Sequence, residues 1–392
     1  MQAHKYRLNV RNAAAETYLS QQVGCGRFVY NLGLSLSQEK YPGYLKLSRL
    51  LPEWKEKHLW LQDVDSMGLQ QALRNLDRAW QNYFAFPDHF DEPTFKRRFV
   101  HDSYRYCGAA AAKTENNRIW VPKLGWLSFR CSRPWRGVVK SITISRKAKR
   151  WYVSLQCAVE VPETPPRQDP WVGIDVGIAQ YAAISTGQMY PSIKAFQTNE
   201  RILARLQRRL ARQKKKSNRW CKTKDRIAAL QHHIANKRKD HAHKVSSDLV
   251  KNHGRVRMED LRVQNMMASA KGTEKKPGKN VAQKTGLNRH LADQGLRQLR
   301  SFVEYKLAWS NGSFEAINPA YTSQTCHVCK HVAKANRLTQ ANFKCVACGH
   351  SDHADLNAAK NIRDTAGGVP RKERAVRRRR RPAGDPHTTE VA

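Results

Sequence analysis

The stretch Cys326-His327-Val328-Cys329, then after 15 residues Cys345-Val346-Ala347-Cys348, and then Asp352-His353-Ala354-Asp355-Leu356-Asn357-Ala358-Ala359-Lys360-Asn361-Ile362, decides how this chain is read. Each Cys-x2-Cys turn aims two thiolates at one tetrahedral ion, so Cys326, Cys329, Cys345 and Cys348 predict a zinc ribbon. Four thiolates leave no open coordination position, which makes this zinc structural and leaves His327, His331 and His350 superfluous as ligands. Directly after the ribbon, Asp355 opens a helix, where the positive end of the helix dipole favours an anion.

Two acidic motifs lie far upstream, Gly173-Ile174-Asp175-Val176-Gly177 and Met258-Glu259-Asp260-Leu261. Asp175 interrupts an apolar run that reads as a buried strand, a costly place for a carboxylate that is neither paired nor bound to a cation. Gly173 and Gly177 leave room for close backbone or substrate approach, and Glu259 ends a second strand. Three hard oxygen donors gathered in this way suit magnesium or manganese rather than zinc. Two such ions roughly 3.5–4 Å apart can activate water and stabilise the leaving oxygen of a phosphodiester. Singly, each acid has a plainer account: Asp175 as a structural carboxylate, Glu259 and Asp260 as a solvated strand end, Asp355 as a helix cap.

The 392 residues allow two to four domains, and 40% hydrophobic residues with ten tryptophans exclude wholesale disorder. A net charge of +39 repels itself unless a polyanion neutralises it, which makes nucleic acid the leading partner. No stretch approaches the roughly 20 apolar residues that span a bilayer, and Met1 to Val10 lacks the apolar core of a signal peptide. A cytoplasmic location is therefore expected. The other cysteines (Cys25, Cys107, Cys131, Cys157, Cys221) are scattered and read as free thiols.

Along the chain, His4 to Val10 reads as a strand and residues 15–110 as mainly helical, with Pro87, Asp88, Asp91 and Pro93 breaking the run. Arg118 to Arg130 and Val138 to Val159 read as strands of a small barrel or sandwich. The Pro-rich Val161 to Pro170 is the main boundary. Three strands follow (Trp171 to Ile178, Tyr181 to Thr186, Met189 to Phe196), then a helical region from Glu200 to Asn252. Arg255 to Leu261 is a strand, Gln264 to Arg289 a Gly- and Lys-rich loop, His290 to Ser310 a helix and Ser313 to Asn318 a strand. After the ribbon comes a last helix, Ala354 to Asp364. This order of strands and helices matches the ribonuclease-H-like arrangement.

At these motifs the chain resembles the TnpB family, the transposon-encoded RNA-guided nucleases related to type V CRISPR effectors. The resemblance also covers Gly26-Arg27-Phe28-Val29-Tyr30-Asn31, Leu69-Gln70-Gln71-Ala72-Leu73-Arg74, Pro122-Lys123-Leu124-Gly125 and Tyr321-Thr322-Ser323-Gln324-Thr325. Val176 departs from the family's usual leucine. The resemblance implies a multidomain α+β protein with an RNase H-like (RuvC) nuclease domain (169–318 and 351–369). A zinc ribbon (319–350) interrupts that domain. It further implies a β-barrel wedge domain (1–10 and 115–165) and a helical recognition lobe (11–114), ahead of a disordered basic tail (370–392). The catalytic, magnesium-binding acids would be Asp175, Glu259 and Asp355, with Asp352 as an alternative for the last. The implied activity is RNA-guided cleavage of double-stranded DNA beside a short flanking motif, by a monomeric ribonucleoprotein whose guide RNA derives from the transposon end. A nuclease-inactive RNA-guided or DNA-binding regulator and a strand-transferring transposase are the alternatives.

Several segments read as nucleic-acid surfaces. Residues 201–244 carry 16 Lys/Arg against Asp225 and Asp240, with apolar stripes at helical spacing. This predicts a helical hairpin turning near Ser217, with Arg208, Arg209, Arg212 and Lys215 on phosphates. Phe95-Lys96-Arg97-Arg98 and Ser103-Tyr104-Arg105-Tyr106 interleave cations and aromatics, as backbone contact and base stacking require, although core tyrosines explain the latter equally. Gln70 and Gln71 are candidates for reading base edges, Lys123 for backbone contact, and Arg337 for guiding single-stranded DNA toward the acids.

Overall fold

The computed structural model describes residues 1–37, 41–98, 100, 102–108, 113–160, 165–273 and 276–365. The basic tail expected at 370–392 lies outside them. The described residues of 1–161 form one compact unit and those of 162–371 a second. No described helix is long and apolar enough to cross a membrane.

In the first unit, β1 (Gln2–Leu8) leads into α1 (Ala13–Ser35), which Asn12 caps by accepting the Ala14 N–H. Helices α2 (Tyr44–Arg49), α3 (Leu51–Lys57) and α4 (Ser66–Ala85) follow. The strands are β2 (Ser103–Cys107), β3 (Thr114–Glu115), β4 (Arg118–Val121), β5 (Gly125–Arg130), β6 (Val138–Lys147) and β7 (Arg150–Ala158). With β1 they make one antiparallel sheet in the order β2-β6-β7-β1-β5-β4-β3. Period-two alternation sends Tyr6, Leu8, Ile142, Ile144, Val153 and Leu155 to one face, where they pack with Ala15, Leu19 and Val23 of α1. Farther along α1, Val29, Tyr30 and Leu34 pack against Leu47, Trp54, Leu69, Leu73 and Leu76. One helix thus serves two cores.

Two expectations are corrected here. The helical region ends at Ala85 rather than near residue 110, because Pro87 and Pro93 break it and 103–107 pairs with β6 instead. The sheet is also open rather than a closed barrel. Among the described residues β2 pairs only with β6 and β3 only with β4.

The second unit is built on a five-stranded sheet in the order β10-β9-β8-β11-β12. Its strands are β8 (Trp171–Asp175), β9 (Gln180–Ile184), β10 (Met189–Pro191), β11 (Arg255–Glu259) and β12 (Ser313–Ile317). β8, β11 and β12 run parallel, while β9 and β10 alternate in direction beside them. The helices are α5 (Glu200–Ala211), α6 (Asn218–Asn252), α7 (Val263–Met266), α8 (Val281–Gln294), α9 (Leu296–Trp309) and α10 (Ala354–Asp364). Ser217 caps α6 through the Trp220 N–H, so the basic hairpin turns where the sequence indicates. The loop expected through Arg289 instead holds α7 and α8. The helix expected at 290–310 breaks at Gly295, whose φ of +63° suits glycine. The third strand stops at Pro191.

Val172 and Ile174 of β8, with Val256 and Met258 of β11, pack with α6 and α9 through Ala242, Val245, Leu249, Leu299, Val303 and Leu307. The opposite face of β8 meets α10. A Cβ on Gly173 would lie 2.0 Å from the Ala359 carbonyl oxygen and 2.4 Å from the Arg363 backbone nitrogen. Only glycine lets the helix backbone come this close. Gly173→Ala must therefore push α10 off the sheet, at a cost of roughly 1–3 kcal/mol. A lowered denaturation midpoint checks this, and an unchanged midpoint contradicts it.

Candidate active site

Parallel pairing sets Arg255 opposite Trp171 and Met258 opposite Ile174. The next position on each strand is an acid, Asp175 on β8 and Glu259 on β11. Alternation turns both toward the face that carries α10, since Gly173 two residues earlier touches that helix. The register of α10 then decides the third acid. His353 precedes the helix and its Nδ1 accepts the Asp355 N–H, which fixes Asp355 in the first turn.

The consequence is electrostatic. Burial first, and then the charges of Glu259 and Asp355, push the Asp175 carboxyl up to about 7, against Arg337 and the Val176 N–H. Burial also raises Glu259, against a hydrogen bond donated by Thr322 Oγ1 to its Oε1 at 2.5 Å. Arg337 lies 3.5 Å from Asp355. Asp260 turns away to Arg300. Asp352, the alternative third acid, is engaged by Lys360 at 2.6 Å and accepts the His353 N–H. The three acids face one another at a longer range than the cysteines do. Among the described residues only the four cysteines gather all their ligand atoms within 4.8 Å. Mutual repulsion of three carboxylates opposes closer approach. Hard oxygen donors whose negative charges stand together in this way fit a divalent cation.

The ribbon is two copies of one turn. Cys326 N–H bonds the His331 carbonyl and Cys345 N–H the His350 carbonyl, while Lys330 and Gly349 return bonds to Cys326 and Cys345 with positive φ. Sγ atoms of Cys326 and Cys348 lie 3.7 Å apart and those of Cys329 and Cys345 3.5 Å apart. The backbone N–H groups of Cys348 and Ala347 help bring the Cys345 thiol down to about 6, favouring the thiolate that zinc requires. The donor set fits tetrahedral zinc. The last pair of strands, β13 (Asn342–Lys344) and β14 (Ser351–His353), joins the ribbon to α10.

Of the nucleic-acid candidates, Gln70 is exposed on α4, and Gln71 lines an open cavity with Arg27, Asn75, Lys96 and Arg105. Arg97 and Arg98 are exposed, as is Lys123, whose Nζ reaches the Gln62 carbonyl. Arg208, Arg209, Arg212 and Lys215 are exposed around the α5–α6 turn. Arg105 bonds Ser141 and Gln156 across the sheet surface. Tyr104 is corrected: it is buried in the first unit's core, edge-on to Tyr106 at 5.2 Å, because alternation along β2 turns both tyrosines inward. Only 5% of Tyr104 is exposed, too little for a base to stack on. The sequence reading missed Thr322, Asn357 and Asn361. The asparagines stand four residues apart on α10, the only pattern that could have signalled them.

Comparison with known proteins adds to this geometry. A family model described as "Probable transposase" matches residues 154–270, and one described as "Cas12f1-like, TNB domain" matches 297–362. A third, "Helix-turn-helix domain", matches 1–44, where this chain has a strand and one long helix before α2. The Escherichia coli (strain K12) protein named "Putative RNA-guided DNA endonuclease InsQ" is 42% identical over 370 residues, 92% of this chain and 91% of that protein. A Streptomyces pristinaespiralis protein named "Putative RNA-guided DNA endonuclease" is 31% identical over 373 residues, 92% of this chain and 88% of that protein. The cryo-EM structure of the Cas12f1–sgRNA–target DNA complex superposes with a TM-score of 0.52 at 17% identity, covering 89% of this chain and 82% of that one. At that identity the likeness is one of fold.

Two measurements check the site. Asp175 is raised above its unfolded value of 3.8, so the folded chain binds the extra proton and stability falls as pH rises from about 4 to about 7. In buffer without magnesium or manganese, Asp175→Asn should melt above the native chain at pH 8, with the gap closing toward pH 4. A pH-independent gap contradicts this. For the ribbon, elemental analysis should find one zinc per chain, lost in Cys345→Ser. Unaltered zinc content in that variant rules Cys345 out as a ligand.

Proposed function

Because the chain belongs to the TnpB family of transposon-encoded RNA-guided DNA endonucleases, we propose that it cuts double-stranded DNA at a RuvC-like site formed by Asp175, Glu259 and Asp355. A guide RNA from the transposon end would select the target by base pairing, and the protein would read a short flanking motif. The observation that supports this reading is the buried Asp175 at the end of β8, raised by its burial and by the charges of Glu259 from β11 and Asp355 from α10. Magnesium or manganese held there would activate a water and stabilise the leaving oxygen.

The chain's own residues supply the rest. The three carboxylates would hold the ions where β8 and β11 end side by side and α10 begins. Arg337, presented by the ribbon beside Asp355, offers a guanidinium to the phosphate that enters the site. The cations around the α5–α6 turn neutralise the backbone of RNA or of the guide–target duplex. Gln71 and Asn75, with Arg27 and Arg105 around them, carry the amide and cationic groups that read base edges and hold phosphates. On this reading residues 169–318 and 351–369 are the nuclease domain and 319–350 its ribbon. The open sheet that includes 103–107 is the wedge, and the helices through Ala85 are the recognition lobe. The working particle is a monomeric ribonucleoprotein.

Purified with its RNA, the protein should cleave a plasmid bearing the guide's complement when magnesium is added. Asp175→Ala should retain the RNA and lose cleavage. Cleavage by that variant, or absence of any co-purifying RNA, overturns the reading. Strand transfer without RNA would instead mark a transposase.

A further inference from the structure

Thr322 precedes the first ribbon cysteine by four residues and is 8% exposed. Its hydroxyl has two acceptors, Glu259 Oε1 at 2.5 Å and the Pro319 carbonyl at 3.3 Å, and the shorter contact takes the single proton. Its own carbonyl accepts a bond at 3.0 Å from Asn361 Nδ2, which also donates to the Thr325 carbonyl at 2.6 Å. One turn back on the helix, Asn357 Nδ2 donates to Thr325 at 2.8 Å and its Oδ1 accepts the His327 N–H at 3.0 Å. Asn357 and Asn361 are both buried. A buried amide without partners is costly, so these bonds fix the segment 322–327 firmly against α10. The helix that carries Asp355 therefore also holds the residue that grips Glu259.

We infer that Thr322 is a positioning residue, tying Glu259 Oε1 through its hydroxyl so that Oε2 is the oxygen presented to the cation shared with Asp175 and Asp355. This deepens the proposed function and rests on its reading of the acids. Without the hydroxyl, Glu259 keeps its charge and loses its fixed orientation. Partners that orient a ligand in this way are worth roughly 10–100-fold in metal affinity. Thr322→Val keeps the shape and removes the donor, whereas Thr322→Ser keeps the donor.

The test is manganese binding to the full-length chain freed of nucleic acid, followed by electron paramagnetic resonance of the free ion, with zinc content measured alongside. Thr322→Val should bind manganese at least about tenfold more weakly with zinc unchanged, and Thr322→Ser should bind as the native chain does. Native affinity in Thr322→Val, while Asp175→Ala loses binding, overturns this inference alone. Native affinity in Asp175→Ala overturns the reading of the acids themselves. A loss shared by Thr322→Ser, or accompanied by loss of zinc, assigns Thr322 to packing and also overturns the inference.

Discussion

Carboxylates removed from water and set beside one another repel, and folding must hold them there against that repulsion. In this chain the force that does so is close packing of one helix on one glycine. Gly173 lets the backbone of α10 rest on β8, and parallel register brings β11 level with β8. Asp175 and Glu259 then turn toward the face that carries α10, whose first turn holds Asp355, whatever their electrostatic preference. The result is a carboxyl at position 175 raised to about 7. Carboxyls perturbed by burial and like charges together cluster at functional sites.

The ribbon is a working part of this arrangement. It delivers Arg337 to Asp355, and its entry segment, residues 322–327, is fastened to α10 by two buried asparagines. Thr322, inside that fastened segment, bonds Glu259. The four-cysteine cluster and the acids are thus joined by a short chain of hydrogen bonds. Networks of this kind hold geometry well when every member is satisfied.

Much of the second unit could be read from residue order alone. The five strands, the first and third of them shorter than expected, the basic hairpin with its turn at Ser217, and α10 from Ala354 to Asp364 stand where periodicity and capping residues put them. The four cysteines were legible because metal chemistry imposes their spacing. What escaped was tertiary. Ser103–Cys107 alternates well enough for a strand but follows a helical region, and only its pairing with β6 reveals it. Tyr104 shows one residue's limit: the same aromatic serves stacking or core, and burial alone decides between them. Lysines and glycines disguised α8 as a loop. Thr322 and Asn361 are ordinary polar residues whose roles exist only through partners distant in the chain.

Such a site suits a nuclease whose specificity is delegated to base pairing. The protein then has to grip phosphates broadly, as its charge of +39 allows, and to aim one constellation of acids. All of this depends on those acids holding divalent ions together. Crystals soaked in manganese and measured at its absorption edge would show the ions directly. The account requires anomalous density between Asp175, Glu259 and Asp355. Anomalous density confined to other parts of the chain would contradict it.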